Sequence, residues 1–414
     1  MRGDLPDADA LTGAGRVDAP PASAGRFASW PRALARAALG VLALLLFASL
    51  IVPTYPEGRR SPWQGAVDPS VSIHARSRDL DKDESYDQDI ALYKVASQRI
   101  ARGENYYDFI VTEQRRRDYP VNPGFAVRLP TLAYLNAWLG PVGQVAAAIA
   151  LMLGTIAAWW FKLGEDPAIA RQRRLATAMV AVGVSLALNR HYFPLHELWA
   201  GGLIALSFGL HRIGHMGEGG RWIAAWCAAA LALAIREHAL PFVLLMGAFA
   251  VWQGNRREAL AWGGLVALFA LAMAVHLHLV ARDVLPSDPH SAPWLVVRGL
   301  TGWLANIAQA SNLRWLPHWL AGPAVILMTF GWLGWNTKAG LFGFLLAAGY
   351  GLAFMLAGRW DNFYWGAMIA PAMFPGIVFA PQALAGLVAA ARGPHVRGGE
   401  APSSDPLLRY PTPS

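Results

Sequence analysis

Charge is what this chain has least of. Only 15% of its 414 residues are Asp, Glu, Lys or Arg, against roughly 25% in soluble domains, which excludes an ordinary water-soluble domain. Cysteine is nearly absent as well. Cys227 stands alone inside an apolar run, so neither an intramolecular disulfide nor a cysteine-based zinc site can form. A glycine-rich phosphate loop followed by lysine and a hydroxyl residue is missing, which argues against ATP-driven action. The formal charge is +8, yet no basic stripe is interleaved with exposed aromatics, so nucleic acid is not an expected partner. The arginines instead flank apolar runs, where positive charge sets membrane orientation. Hydrophobic residues, by contrast, make up 55% of the chain, and 18 residues are Trp.

The apolar residues fall into about ten long runs. Residues 1–32 lack apolar periodicity and, like 393–414, read as a disordered tail. The run Ala33 to Val52 is long enough to cross a hydrocarbon core of roughly 30 Å. No small-residue cleavage site follows it, so it reads as an uncleaved anchor. Further spans are expected near 142–161, 175–190, 195–211, 222–235, 240–252, 259–280, 318–334, 339–357 and 364–388. The stretch from Trp222 to Trp252 is too long for one untilted span, and Arg236-Glu237-His238 interrupts it, with Pro241 just behind. Two short antiparallel spans turning at that triplet are expected.

The fold class is therefore an all-α polytopic membrane bundle of about ten spans, occupying residues 33–392. Short links on one side hold Arg171, Arg173, Arg174, Arg212, Arg256 and Arg257, while those on the other hold only Arg190, Arg236 and Arg359. This bias places both termini in the cytoplasm. Two long outer segments, 54–128 and 281–317, remain. The first carries a helix from Gln88 to Ala101, with Ile90, Tyr93, Val95, Ala96 and Ile100 at mostly helical spacing. Leu129 to Leu139 ends at Gly140-Pro141 and reads as a helix at the interface. Leu300, Trp303, Leu304 and Ile307 predict another in the second segment. No internal or inverted repeat is visible.

The sharpest polar sets all fall in links of the same parity: Asp87 and Asp89, Arg190 with His191, His196 with Glu197, Arg236 to His238, and Arg359 with Asp361. A bilayer disfavours polar groups, so this clustering points to a site at one face. The bland alternative for the two aspartates is a helix N-terminus, where carboxylates cap free amides. The surrounding order is more particular. Tyr86-Asp87-Gln88-Asp89 is followed by Tyr93, Gly103, Tyr106-Tyr107, Tyr119-Pro120, Pro123 and Arg128-Leu129-Pro130 before the next span.

This order resembles the first extracytoplasmic loop of the GT-C superfamily, membrane glycosyltransferases that use polyprenyl-phosphate sugars, and in particular bacterial relatives of protein mannosyltransferases and aminoarabinose transferases. The match covers roughly residues 33–165. It departs from the family in one respect: more than thirty residues separate the first span from the acidic motif. The resemblance implies that Asp87 or Asp89 supplies the catalytic carboxylate, and that the protein lies in a bacterial inner membrane with its active site facing the periplasm. Its partners would be a polyprenyl-phosphate-linked sugar donor, an acceptor glycan or lipid, and membrane lipids.

Such chemistry needs a base for the acceptor hydroxyl and cations for the departing phosphate, a task suited to guanidinium. Arg236 is the first candidate cation because it breaks a membrane run. The structural alternative is an Arg236–Glu237 pair ending a helix. Tyr93, Arg190, His191, His196, Glu197, His238, Arg359 and Asp361 complete the expected substrate-binding set. No cofactor is expected and no metal site: His276 and His278 lean to different faces, and His196-Glu197 lacks the second histidine of a zinc-protease helix. A transporter or lipid flippase is the alternative function, but its polar groups should sit at mid-depth beside broken helices.

Overall fold

Helix is the only regular structure among the described residues, 25–54, 89–212 and 222–393 of a computed structural model; one isolated bridge joins Asn122 and His290. Residues 1–24 and 394–414, most of the two expected tails, lie outside that set. Residues 25–31 pack on the bundle. Phe27 is buried, and the Arg26 guanidinium donates to the carbonyls of Leu333, Trp335 and Thr337.

Among the described residues fourteen α-helices follow in order: α1 Arg32–Ile51, α2 described over 89–101, α3 Tyr106–Arg115, α4 Thr131–Gly164, α5 Arg173–Val184, α6 His196–Leu210, α7 Ile223–Ile235, α8 Leu240–Trp252, α9 Arg256–Ala281, α10 Gly299–Gln309, α11 His318–Gly331, α12 Lys338–Leu356, α13 Ala370–Met373 and α14 Gly376–Arg392. Of these, α1, the helix ending at Gly164, α9 and α12 are long and apolar enough to cross a membrane. The outward faces of α1 and α9 are apolar too, with Val41, Leu44, Phe47, Leu260, Leu268 and Leu271 all exposed. Exposed leucines on a charge-poor helix suit lipid rather than water, and they mark a membrane protein.

Hydrogen bonds fix the direction of the central helices. Ser207 near the end of α6 donates to the Ala225 carbonyl near the start of α7, while Glu197 at the start of α6 meets Arg236 at the end of α7. Helices α6 and α7 are therefore antiparallel. At the other side of the triplet, Tyr350 of α12 donates to the His238 carbonyl, and Lys338 at the start of α12 lies over the Trp252 ring that ends α8. Helix α8 thus runs back antiparallel to α12. The 222–252 stretch is two helices of 13 residues each, reversing at 236–239 as the sequence predicts.

Gly140 takes φ +60 and ψ −179 and breaks α4 between the 131–139 limb and the long limb that follows. Pro141 explains the place: it has no N–H and disfavours helical backbone in the residue before it. Helix α10 lies across one end of the bundle. Its start is tied to the Met355 and Arg359 carbonyls through Arg298, and its last residue, Gln309, donates to Thr54 just beyond α1. The stretch expected as a single last span, 364–388, is instead three pieces: a 3-10 segment Trp360–Met368, then α13, then α14. Pro371 and Pro375 flank the break and remove two backbone donors that a continuous helix would need.

Candidate functional site

At the end of the bundle crossed by α10, a cavity of about 1080 Å³ opens between α2, α3, the 131–139 limb of α4, the start of α6, the 237–239 turn, and the segments 291–294 and 357–365. Asp89, on the first described turn of α2, faces it. The Tyr119 hydroxyl donates to the Asp89 carboxylate. Burial pushes the Asp89 carboxyl above the usual carboxylate range, opposed in part by that hydrogen bond and by the Arg128 charge. Tyr93, one turn along α2, is held protonated: burial raises its hydroxyl to about 12.

Arg128 is the central cation. Its Nε donates to the Tyr93 hydroxyl at 3.1 Å and its other arm reaches the Tyr364 hydroxyl at 3.5 Å. Among the described residues no carboxylate forms an ion pair with it. Its backbone is pinned from two sides. The Tyr106 hydroxyl donates to the Arg128 carbonyl at 2.7 Å, and His276 Nε2 meets the neighbouring Val127 carbonyl at 3.1 Å. Nδ1 of the same ring lies 3.1 Å from the Tyr107 hydroxyl, so the proton belongs on Nε2. The guanidinium is thus aimed at the cavity by its backbone and spread on neutral tyrosines, a geometry suited to receiving an anion.

Arg359 also lines the cavity. It contacts Asp361 at 3.2 Å through Nε and reaches the Ser291 hydroxyl and the Ala292 carbonyl through another nitrogen. The Asn362 side chain accepts from the Arg359 amide, and Arg298 donates to the Arg359 carbonyl. His196 sits edge-on to Tyr93 with ring centroids 4.8 Å apart, and His238 tilts over Trp365 at 4.5 Å.

Of the residues expected from the sequence, Asp89, Tyr93, His196, His238, Arg359 and Asp361 meet in this one cavity. Asp87 lies outside the described residues. Arg190 and His191 are exposed on the 3-10 turn Arg190–Tyr192, away from the lining. Arg236 and Glu197 are not in the lining either. Arg236 is fully buried behind it, 2.7 Å from Glu197 and paired with Glu237, so its charge is already compensated by two carboxylates. Glu237, by contrast, does line the cavity.

Arg128, Tyr119, Tyr364 and Trp365 belong to the site without having been singled out for it. The signal for Arg128 was present in Arg128-Leu129-Pro130, a lone cation directly before an apolar helix, but that position equally suits an orientation charge. Among the described residues no group of three metal-ligating side chains comes together. Compared with known proteins, the chain matches no family model, no curated protein and no solved structure.

Proposed function

We propose that the protein is a GT-C type glycosyltransferase of a bacterial inner membrane, moving a sugar from a polyprenyl-phosphate donor to a periplasmic or lipid-linked acceptor, with both termini cytoplasmic and the cavity open to the periplasm. The observation that carries this reading is the convergence of Asp89, whose proton affinity is raised by burial, and Arg128, which forms no ion pair among the described residues, on a cavity large enough for a glycosylated lipid headgroup. Asp89 takes the proton from an acceptor hydroxyl. That oxygen attacks the anomeric carbon of the donor, the bond from that carbon to the phosphate oxygen breaks, and the phosphate leaves with the electron pair. Arg128, with Arg359 in the same lining, neutralises the leaving charge. The phosphate role considered for Arg236 passes to these two.

Among the described residues charged groups cluster at the two ends of the bundle, which favours transfer over transport. The test is binding of bare polyprenyl phosphate to the purified protein in nanodiscs. Arg128→Gln is expected to weaken it at least tenfold, as loss of charge-assisted hydrogen bonds worth about 1.5–3 kcal/mol each requires, and Arg190→Gln to leave it unchanged. Equal binding by wild type and Arg128→Gln sinks the reading.

A further inference from the structure

The turn between α7 and α8 is built more firmly than folding asks. Glu237 and His238 both line the cavity, and their side chains are 24% and 28% exposed. Behind them Arg236 is fully buried, paired with Glu237 and 2.7 Å from Glu197. His238 is held in turn. Its carbonyl accepts from the Tyr350 hydroxyl at 2.6 Å, its ring tilts over Trp365 at 4.5 Å, and its Nδ1 lies 3.1 Å from Glu237 Oε1. Buried ion pairs add little stability over apolar packing of the same volume, so stability does not account for this buttress. It fixes the direction of two side chains that open to the cavity.

Glu237 Oε1 is taken by Arg236 and His238, and Oε2 meets no partner among the described residues. His238 Nε2 meets none either, and neither atom is sealed from solvent. Burial opposes ionisation of Glu237, but the Arg236 charge, the hydrogen bond from His238 and the Arg128 charge hold its carboxyl well below the usual carboxylate range. Burial, with the Arg236 charge, pushes the His238 imidazole below its ordinary value, so the ring is neutral near pH 7. The facing carboxylate keeps its proton on Nδ1, which leaves Nε2 a lone pair. Two adjacent residues thus present acceptors only. Their complement is a ligand edge that carries hydrogen-bond donors, and hydroxyl or amino groups on neighbouring ring carbons supply one. Arg128 and Glu237 also act on each other electrostatically, so the pair lies within reach of a group joined to a phosphate on Arg128.

We infer that Glu237 and His238 hold the sugar ring of the donor, through hydrogen bonds from two of its neighbouring hydroxyl or amino groups to Glu237 Oε2 and His238 Nε2. The inference rests on the lipid-phosphate reading above and names the residues that tell a glycosylated donor from the bare lipid. Arg128 holds the phosphate, and this pair holds what the phosphate carries.

The test titrates the full-length protein in nanodiscs with short-chain polyprenyl phosphates: bare, glucosyl, mannosyl and 2-amino-2-deoxyglucosyl. At least one glycosylated form is expected to bind about tenfold or more tighter than the bare lipid, the effect of two added hydrogen bonds. Glu237→Gln keeps the shape and removes the charge, and it should cut that increment by about tenfold. His238→Phe keeps a ring on Trp365 and should cut it by roughly 3- to 10-fold, as loss of one neutral hydrogen bond requires. Affinity of Glu237→Gln for the bare lipid, read on the same preparation, should hold or rise, because a negative charge near the phosphate is gone. A merely structural role would lower both affinities together. An increment that keeps its size in both variants, or a wild type that binds no glycosylated form more tightly than the bare lipid, overturns the inference and leaves the phosphate site standing. Failure of the wild type to bind the bare lipid overturns the underlying reading, and the inference falls with it.

Discussion

Asp89 has two properties that a base needs: a place on the cavity wall and a proton affinity raised by burial. Asp89→Asn keeps the shape but cannot accept a proton, so transfer should fall by about 10²–10⁴-fold with expression intact, measured on purified protein once a donor is in hand. The reactive form is the ionised one, so activity rises with pH through the Asp89 pKa. Because that pKa is raised, the acid limb of the pH–rate profile should lie above the range of an unperturbed carboxylate. A limb at or below that range would remove Asp89 as the base. Arg236 makes the contrasting case. It is sealed between Glu197 and Glu237, and removing one partner of a buried pair leaves the other charge uncompensated. Arg236→Met should lower stability by about 3–5 kcal/mol, seen as a drop in melting temperature, with bare lipid-phosphate affinity unchanged in the protein that folds. In the sequence Arg236 stands out because it interrupts an apolar run, and Arg128 does not. Packing reverses that order: the run-breaking arginine turns inward to two carboxylates, and Arg128, which breaks nothing, meets tyrosines from α2 and from residue 364.

Helix boundaries were the most readable part of the chain, because proline, glycine and charge interrupt apolar periodicity locally. Gly140-Pro141 and the Arg236 to His238 triplet both lie where the helices break. The last span was less legible: Pro371 and Pro375 were visible, but the surrounding residues are apolar enough to read as one run. What the sequence hid there is contact. Gly201 of α6 packs so closely on the Ala367 carbonyl that a Cβ has no room, and this seats the 360–368 segment, with Tyr364 and Trp365, beside His196. The Gly140 backbone lies in a region that other residues enter at a cost of about 1–3 kcal/mol. Gly140→Ala should therefore lower thermal stability by that order, and an unchanged melting temperature would show that the kink is not held. Another link between elements is the Arg115–Asp288 pair, which ties α3 to the segment after α9. Hydrogen bonds from Arg115 and the Leu285 amide hold the Asp288 carboxyl down at about 2, below the ordinary carboxylate value of about 3.9. A depressed folded-state pKa gives stability that is full above the ordinary value and lost as pH falls toward 2. Hydrogen exchange in 281–298 should rise over that window in the wild type, and Asp288→Asn should show the raised exchange already at neutral pH.

On the scale of the whole molecule, opposite ends of one bundle carry different chemistry. The cavity lies at one end, and the His211–Glu258 pair and the Arg256 start of α9 at the other. The parity of charged links made that division readable, because alternate turns of a spanning chain must fall on alternate sides. The convergence of α2 and α3 on the 357–365 segment was not, since it depends on a long segment between helices folding back over residues more than two hundred positions away. In a Cys227→Ala background, a cysteine at 361 should react with an impermeant thiol reagent added outside intact cells and one at 256 should not. Labelling of both, or of 256 alone, would undo the orientation. The brevity of α7 and α8 has a separate consequence. Thirteen residues rise only about 20 Å, against a hydrocarbon thickness of about 30 Å, and Leu231, Leu244 and Val251 on these helices are exposed. Acyl chains beside this hairpin must compress to meet it, at a modest cost for each ångström of mismatch. Melting temperature should then be higher in bilayers of 14-carbon than of 18-carbon phospholipids, which makes the thickness of the surrounding membrane a determinant of how well the site holds together.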